Sequence, residues 1–412
     1  MKKVGIFGAG VTGLSVARFL RDTFDVEILE SKDVCGGIAR TIDVDGIAYH
    51  VIGGHCFNSK YPEILDFVFN EVLPKEDWNE ITRVSKIRLD GHEYAYPIEF
   101  SVKEIEKNNP ILAHQITDDF LATKEDSVAT NLADWFVQKF GKTLADTYFI
   151  PYNKKIWGRE PAEMSALWVQ DKLPIPDKKA FLDALNANVV DSMPHAKFFY
   201  PKTNNQNTFL DALAEGTKIL YKTEVHSIVK DAQKEKWIVN SNKEYDIIIN
   251  TTPIDKFIKL LSNVPEQVIV AADMLKYNKI SNVLWKSVPT NKTWTYFPES
   301  HTPFHRYIHI GSYHRPSAGY SISESVGEHS KNELIDQGKK DPFLIEPLAY
   351  HISEHAYVVF DKNYQYAVST IMDYLKDVGI YSIGRFGEWQ YYNMDVCMKR
   401  SLDTAEVIKC LM

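Results

Sequence analysis

The chain has 412 residues, 44% of them hydrophobic and 25% charged, with a formal net charge of −8. That length exceeds one simple core, so two or three lobes are expected. The acidic balance argues against nucleic acid as a general partner, and an anionic ligand would need a local basic site.

Lys2 and Lys3 precede an apolar run, which resembles a secretion signal but is short and glycine-rich. The run Val4-Gly5-Ile6-Phe7 reads instead as a buried strand. Gly8, Gly10 and Gly13 then form G-x-G-x-x-G at the turn into a helix expected over 14–21. The first glycine permits a tight turn, the second lets backbone approach a pyrophosphate, and the third lets helix pack on strand. The helix N-terminus offers free N–H groups to the anion. Glu30 ends a second strand, Val26-Glu27-Ile28-Leu29, where a carboxylate can hold ribose hydroxyls and disfavour a 2′-phosphate. Thr12 and Ser31 flank these positions and join the cofactor set.

Residues 101–190 carry helical spacing, as in Asn131-Leu132-Ala133-Asp134-Trp135-Phe136-Val137. Short alternating runs follow around Lys218–Tyr221, Glu224–Val229 and Trp237–Val239, then a buried strand from Tyr245 to Thr252. Residues 255–350 mix strand-like runs such as Tyr307-Ile308-His309-Ile310 with loops. Gly379 to Arg385 reads as a strand ending in glycine, and Met394 to Leu411 as a helix. The expected fold is therefore α/β. A Rossmann-like FAD-binding domain is built from 1–85, 195–252 and 378–412. A helical substrate insert spans 101–190, and an antiparallel sheet insert spans 86–100 and 255–350. The site is expected where the inserts meet the strand C-termini. The pair Lys154-Lys155 reads as a solvated face.

Cys35, Cys56, Cys397 and Cys410 are irregularly spaced, with no C-x-x-C, so neither structural zinc nor any other metal is expected. They read as reduced thiols of a cytoplasmic protein. No apolar stretch reaches about 18 residues, and no basic amphipathic helix is evident, so no membrane partner is expected.

Glu30-x5-Gly36-Gly37-Ile38-Ala39-Arg40-Thr41 resembles the E-x5-G-G extension of FAD-dependent oxidases and mutases. Four further stretches sharpen this resemblance. They are Gly53-Gly54-His55-Cys56-Phe57, Tyr152 with Trp157, Pro303-Phe304-His305-Arg306, and Gly384-Arg385-Phe386-Gly387-Glu388-Trp389-Gln390-Tyr391-Tyr392-Asn393-Met394-Asp395. Together they resemble the UDP-galactopyranose mutase family along the whole chain. The resemblance implies an isomerase that interconverts pyranose and furanose forms of a UDP-sugar through a reduced-flavin N5–sugar adduct. FAD, active when reduced, is the implied cofactor, and cell-surface polysaccharide biosynthesis the implied setting. The family commonly dimerises.

By the same resemblance, Gly384, Arg385, Met394, Asp395 and Val225 would join the FAD set. His55 would lie against the flavin. Tyr152 and Trp157 would border the uridine pocket, while Arg306, Tyr350 and Tyr391 would bind the diphosphate. The family's loop arginine is matched by Lys172, which keeps the charge and loses the bidentate fork. Arg306, Lys172 and His55 are the implied catalytic set. The family's glycine pair after F-x-Y-P is replaced by Asn204-Asn205-Gln206-Asn207. The alternative reading is an FAD-dependent oxidase or dehydrogenase of the amine-oxidase or protoporphyrinogen-oxidase type, which would have no use for a diphosphate site.

Overall fold

The computed structural model describes residues 1–124, 129–166, 169, 175, 177–186, 196–313 and 318–410. Its first layer is a five-stranded sheet. The strands run, in spatial order, Tyr381–Ser382, Ile247–Asn250, Lys3–Phe7, Asp25–Leu29 and Ile219–Leu220. Every pairing in it is parallel. The central strand is buried on both faces, which explains its unbroken apolar run. It leads into the Val11–Leu20 helix, which begins one turn earlier than the sequence suggests.

That helix is buried on nearly every side because it lies between the sheet and the Met394–Lys409 helix. Gly13 makes the contact feasible, since a Cβ there would meet the Gly8 carbonyl oxygen at 2.0 Å. Ser401 Oγ donates to the Thr12 carbonyl at 3.0 Å and ties the two helices together. The C-terminal helix thus holds the segment that precedes it, including Arg385 and Tyr391, beside the glycine turn.

A seven-stranded sheet forms the second layer, ordered Leu344–Val358, Tyr277–Ser287, Tyr320–Val326, Arg306–Ile308, Trp294–Tyr296, Ser85–Leu89 and His92–Ala95. Trp294–Tyr296 pairs parallel with Ser85–Leu89, and the other pairings are antiparallel. One face of this sheet looks into the cleft, and the other covers an apolar cluster around Trp285 and Phe297. Residues 228–245 form a separate antiparallel trio of strands rather than extending the parallel sheet.

The helical layer includes Pro110–Ala122, Leu132–Phe140 and Ile150–Trp157. Asn131 starts the second of these, its side chain accepting the Asp134 N–H. Phe136, Phe140 and Phe149 stack within it, with Phe140 and Phe149 centroids 4.0 Å apart. Many of the aromatic side chains are therefore core. No helix among the described residues is long and apolar enough to cross a membrane. No cluster of metal-ligating side chains occurs among them either.

Candidate functional site

A cleft of about 1000 Å³ begins at the C-terminal end of the parallel sheet and continues beneath the seven-stranded sheet. Gly8, Gly10, Thr12, Glu30, Ser31, Gly36 and Gly37 line its first part. Gly8 has φ +94°, a value that L side chains rarely adopt. The second glycine turn packs directly on the first: a Cβ on Gly37 would lie 3.0 Å from the Gly10 Cα. Both glycines therefore leave bare backbone facing the cleft. Glu30 Oε2 accepts the Ala9 N–H at 2.8 Å and Oε1 the Lys32 N–H at 2.9 Å. The carboxylate is thus held rigidly between the two loops.

The asparagine run makes the turn expected of a glycine pair. Asn204 takes φ +64°, a left-handed conformation that asparagine tolerates. Asn205 Oδ1 accepts from Thr41 Oγ1 at 2.8 Å, and Asn207 Oδ1 from the Thr41 N–H at 2.9 Å. The turn thereby braces the second glycine loop.

Gly384 also has left-handed backbone, and a Cβ on it would lie 2.4 Å from Thr12 Oγ1. Arg385 follows, and its Nη2 donates to the Ala356 carbonyl at 2.7 Å. Its guanidinium lies 4.5 Å from the Tyr391 ring centroid and 5.5 Å from that of Tyr357. Its buried Nε has no protein partner. Met394 lines the cleft, and Asp395 is buried in the first turn of the last helix.

His55 is on the cleft wall, and its Nε2 has no protein partner. Burial, then the charges of Arg385 and Arg306, push its pKa down to about 4, so the ring is neutral at pH 7.

Arg306 occupies the start of the Arg306–Ile308 strand, close against the Gly53-Gly54 turn. Its Nε and Nη2 donate to Glu324 Oε1 at 2.9 and 2.6 Å, and Nη2 also donates to Tyr357 OH at 2.8 Å. Glu324 is fully buried and accepts the Gly53 N–H at 2.7 Å. Burial opposes its ionisation, yet Arg306 and then His305 hold it well below the usual carboxylate range. Arg306 stays protonated for the reciprocal reason: Glu324 outweighs the cost of burial. Tyr357 stacks on Tyr391 with centroids 5.7 Å apart.

Several residues stand elsewhere than the sequence suggests. Trp157 does not border the cleft. It is buried behind it, edge-on to Tyr357 and Tyr391, with Nε1 donating to Asn153 Oδ1 at 3.0 Å. Tyr152 stacks on Tyr148 and meets the wall through Tyr296. Tyr350 faces the opposite side of its sheet. It pairs with Val283 over the Trp285 cluster and donates to the His329 carbonyl, while the next residue, His351, faces the cleft. Successive residues of a strand point to opposite faces, so Tyr350 is on the wrong one for a ligand in this cleft. Arg40 pairs with Asp211 at 2.8 Å, and neither it nor Val225 is among the described cleft walls. Lys172, with Leu167 and Trp168, lies outside the described residues.

Sequence reasoning passed over Glu324, Tyr357 and Arg83. Arg83 lines the cleft, held by Ser85 Oγ at 2.8 Å and Tyr296 OH at 2.9 Å against the faces of Tyr96 and Trp294. Glu324 carried a readable signal, because it is the charged member of the alternating run Ser321-Ile322-Ser323-Glu324-Ser325. Tyr357 carried none beyond its residue type.

The glycine turns and the parallel sheet define a Rossmann-like fold, and residues 6–70 match the family described as an NAD(P)-binding Rossmann-like domain. Among named relatives, the chain is 30% identical over 184 residues to dTDP-fucopyranose mutase of Escherichia coli. That match takes in 42% of this chain and 46% of the relative. It is 23% identical over 269 residues to a protein of Klebsiella pneumoniae described as a probable UDP-galactopyranose mutase, covering 62% of each. The chain thus matches about half to three-fifths of the length of these curated relatives. The fold likeness is wider. A crystal structure of reduced UDP-galactopyranose mutase superposes with a TM-score of 0.87 at 22% identity, covering 100% of this chain and 96% of that one. A putrescine oxidase superposes at 0.65 with 15% identity and 99% coverage of both chains. The resemblance to UDP-galactopyranose mutase therefore holds in sequence and in fold.

Proposed function

We propose that this chain is an FAD-dependent isomerase that interconverts the pyranose and furanose forms of a nucleoside-diphosphate hexose. One observation carries the reading. The cleft that starts at the glycine cradle is lined at its far end by Arg306, Arg385 and Tyr391, with Tyr357 buried behind them against Arg306 and Tyr391. Guanidinium groups with phenol hydroxyls form a donor set suited to a diphosphate.

The residues fit a flavin dinucleotide. Gly8, Gly10, Gly36 and Gly37 line the cleft with bare backbone, and Gly13 allows the helix to approach the first turn. Glu30 and Ser31 serve the ribose, with Thr12, Gly384, Arg385, Met394 and Asp395 along the rest of the group. The orphaned His55 Nε2 and Arg385 Nε supply polar atoms for a ligand to satisfy. Reduced FAD, when bound, supplies the nucleophile for the anomeric carbon.

The chain's own residues do the remaining work. Arg306 holds its charge toward the departing diphosphate, locked by Glu324 and Tyr357 so that little reorganisation accompanies bond cleavage. Tyr391, stacked on the buried Tyr357, forms the wall that orients the nucleotide; Trp157 backs that pair, and Tyr152 backs Tyr296. Neutral His55, whose Nε2 has no protein partner, would offer one hydrogen bond to the bound group. Lys172, the residue that matches the family's loop arginine, would supply a second positive charge. The protein acts in the cytoplasm on a sugar destined for surface polysaccharide.

The test is conversion of UDP-galactofuranose and of dTDP-fucofuranose to their pyranose forms, with and without dithionite. Conversion of either, dependent on reduction and consuming no oxidant, supports the reading. Turnover that consumes oxygen, with no isomerisation of either sugar, would replace it with an oxidase.

A further inference from the structure

Lys155 is in the last turn of the Ile150–Trp157 helix, yet its ammonium is directed into the protein rather than to solvent. Nζ donates to three backbone carbonyls: Phe297 at 2.9 Å, Glu299 at 2.5 Å and Phe304 at 2.8 Å. This corrects the reading of Lys154-Lys155 as a solvated face, which fits only Lys154, paired with Glu160 at the surface.

All three acceptors belong to the loop joining the Trp294–Tyr296 and Arg306–Ile308 strands. The Phe297 N–H donates to the His305 carbonyl at 3.0 Å and closes the stem of that loop. Arg306 is the next residue. Three carbonyl dipoles aimed at one point repel one another unless a cation stands between them. An ammonium has three donors and one charge, which matches this arrangement.

We propose that Lys155 is a positioning residue for the ligand site: its ammonium fastens the hairpin that carries Arg306 to the helix that carries Tyr152 and Trp157. The cation at the cleft and the aromatic residues behind it then keep one registry. The inference deepens the nucleotide-sugar reading and rests on it for the identity of the ligand.

Burial, against the pull of Glu299, lowers the Lys155 pKa to about 8. The other ionisable groups around it are His301, paired with Glu299 at 3.6 Å, and His305 and Arg306 on the hairpin, with Lys154 and Glu160 paired beside its own helix. Burial keeps His305 neutral, and Arg306 stays charged throughout. Below about pH 8 the ammonium is present and the clamp is closed. As pH rises through that value the charge leaves, and the carbonyls lose their common partner.

The experiment titrates UDP and dTDP into the FAD-loaded protein from about pH 6.5 to about pH 9.5, for wild type, Lys155→Met and Lys155→Arg. Wild-type affinity should fall progressively above about pH 8. Lys155→Met should bind at least ~tenfold more weakly at neutral pH, as loss of a charge-assisted contact implies, with FAD retained and no alkaline limb. Lys155→Arg, permanently charged, should bind with intermediate affinity and no alkaline limb. Wild-type affinity in Lys155→Met, or an alkaline limb that persists in Lys155→Arg, would overturn the proposal. Amide exchange over 297–308 is measured in parallel without nucleotide and should accelerate in Lys155→Met. If wild type binds neither nucleotide, the diphosphate reading fails, and exchange alone decides the clamp: unchanged protection refutes it. If Lys155→Met does not fold, Lys155→Arg and the wild-type pH profile decide the matter by the same criteria.

Discussion

Arg306 and Glu324 form one buried unit: Nε and Nη2 of the arginine both donate to the same carboxylate oxygen, Oε1, at 2.9 and 2.6 Å. The carboxylate also accepts the Gly53 N–H, so the cation at the cleft and the turn before His55 share an anchor. This changes what an alanine at 306 would report. Arg306→Ala would abolish turnover, but it would also strand a fully buried carboxylate, and breaking such a pair costs about 3–5 kcal/mol. Arg306→Lys keeps the charge and loses the fork. The expected outcome is folded, FAD-containing protein with kcat/KM reduced on the order of 100-fold, corresponding to about 2.7 kcal/mol. Steady-state kinetics beside flavin content checks this, and near-normal kcat/KM would remove Arg306 from the mechanism.

Gly10 and Gly13 serve different partners, and alanine separates them. A Cβ on Gly13 meets the Gly8 carbonyl oxygen at 2.0 Å, so Gly13→Ala should destabilise even the apoprotein by about 1–3 kcal/mol. A Cβ on Gly10 meets only the Gly37 Cα, at 3.9 Å, which is ordinary contact. Gly10→Ala should therefore leave the apoprotein Tm unchanged and weaken FAD binding. Thermal melts with and without FAD read both effects. An equal loss of apoprotein Tm in the two variants would contradict the assignment.

His55 makes a pH prediction. Its folded pKa of about 4 lies below the ordinary value of 6.5. Between those values the unfolded chain binds a proton that the folded chain refuses. The apoprotein should therefore lose stability as pH falls from about 6.5 to about 4. His55→Gln should flatten that part of the curve. Urea titrations at several pH values test it, and an unchanged acid limb in the variant would place the lost protons elsewhere.

Glu27 governs a lower window. It is buried beneath the parallel sheet, with Tyr245 OH donating to it at 2.6 Å and Lys3, Lys218 and Lys243 within 3.8 Å. Burial opposes ionisation, but Lys218, Tyr245 and Lys3 together lower its pKa to about 2. A depressed carboxylate stabilises fully above its unfolded value, about 4.5, and that contribution fades as pH falls toward about 2. Glu27→Gln should lower Tm at pH 7 and match wild type near pH 2. The partly exposed lysines make the neutral-pH difference smaller in high salt. A Tm gap that persists undiminished at low pH would assign the effect to packing.

Tyr357 links Arg306 to the stacked wall at Tyr391, and its hydroxyl is the acceptor of one Arg306 N–H. Tyr357→Phe keeps the stacking and removes that acceptor. Nucleotide affinity should fall about tenfold while FAD binding holds, in line with about 1.4 kcal/mol for a hydrogen bond to a charged group. Calorimetry with UDP reads the change.

What the sequence determined by itself was local. Val4 to Gly13 announce strand, turn and helix because backbone sterics and the helix N-terminus act over a few residues. Asn131, the buried strand at 247–250 and the C-terminal helix were readable for the same reason. The C-terminal motif pointed to Arg385 and Tyr391, which line the same cleft as the glycine turns.

Only the tertiary structure decided which face each long-range residue presents. Tyr350 and His351 are neighbours in sequence, yet strand alternation over a shared sheet sends one to the Trp285 cluster and the other to the cleft. Trp157 is buried edge-on to Tyr357 and Tyr391, and of the three only Tyr391 lines the cleft. Lys155 looked like surface charge until the 297–304 carbonyls converged on it. Glu324 and Arg306 are 18 positions apart and meet only through pairing of adjacent strands. Burial and partner identity are properties of elements packed across the chain, and local composition does not contain them.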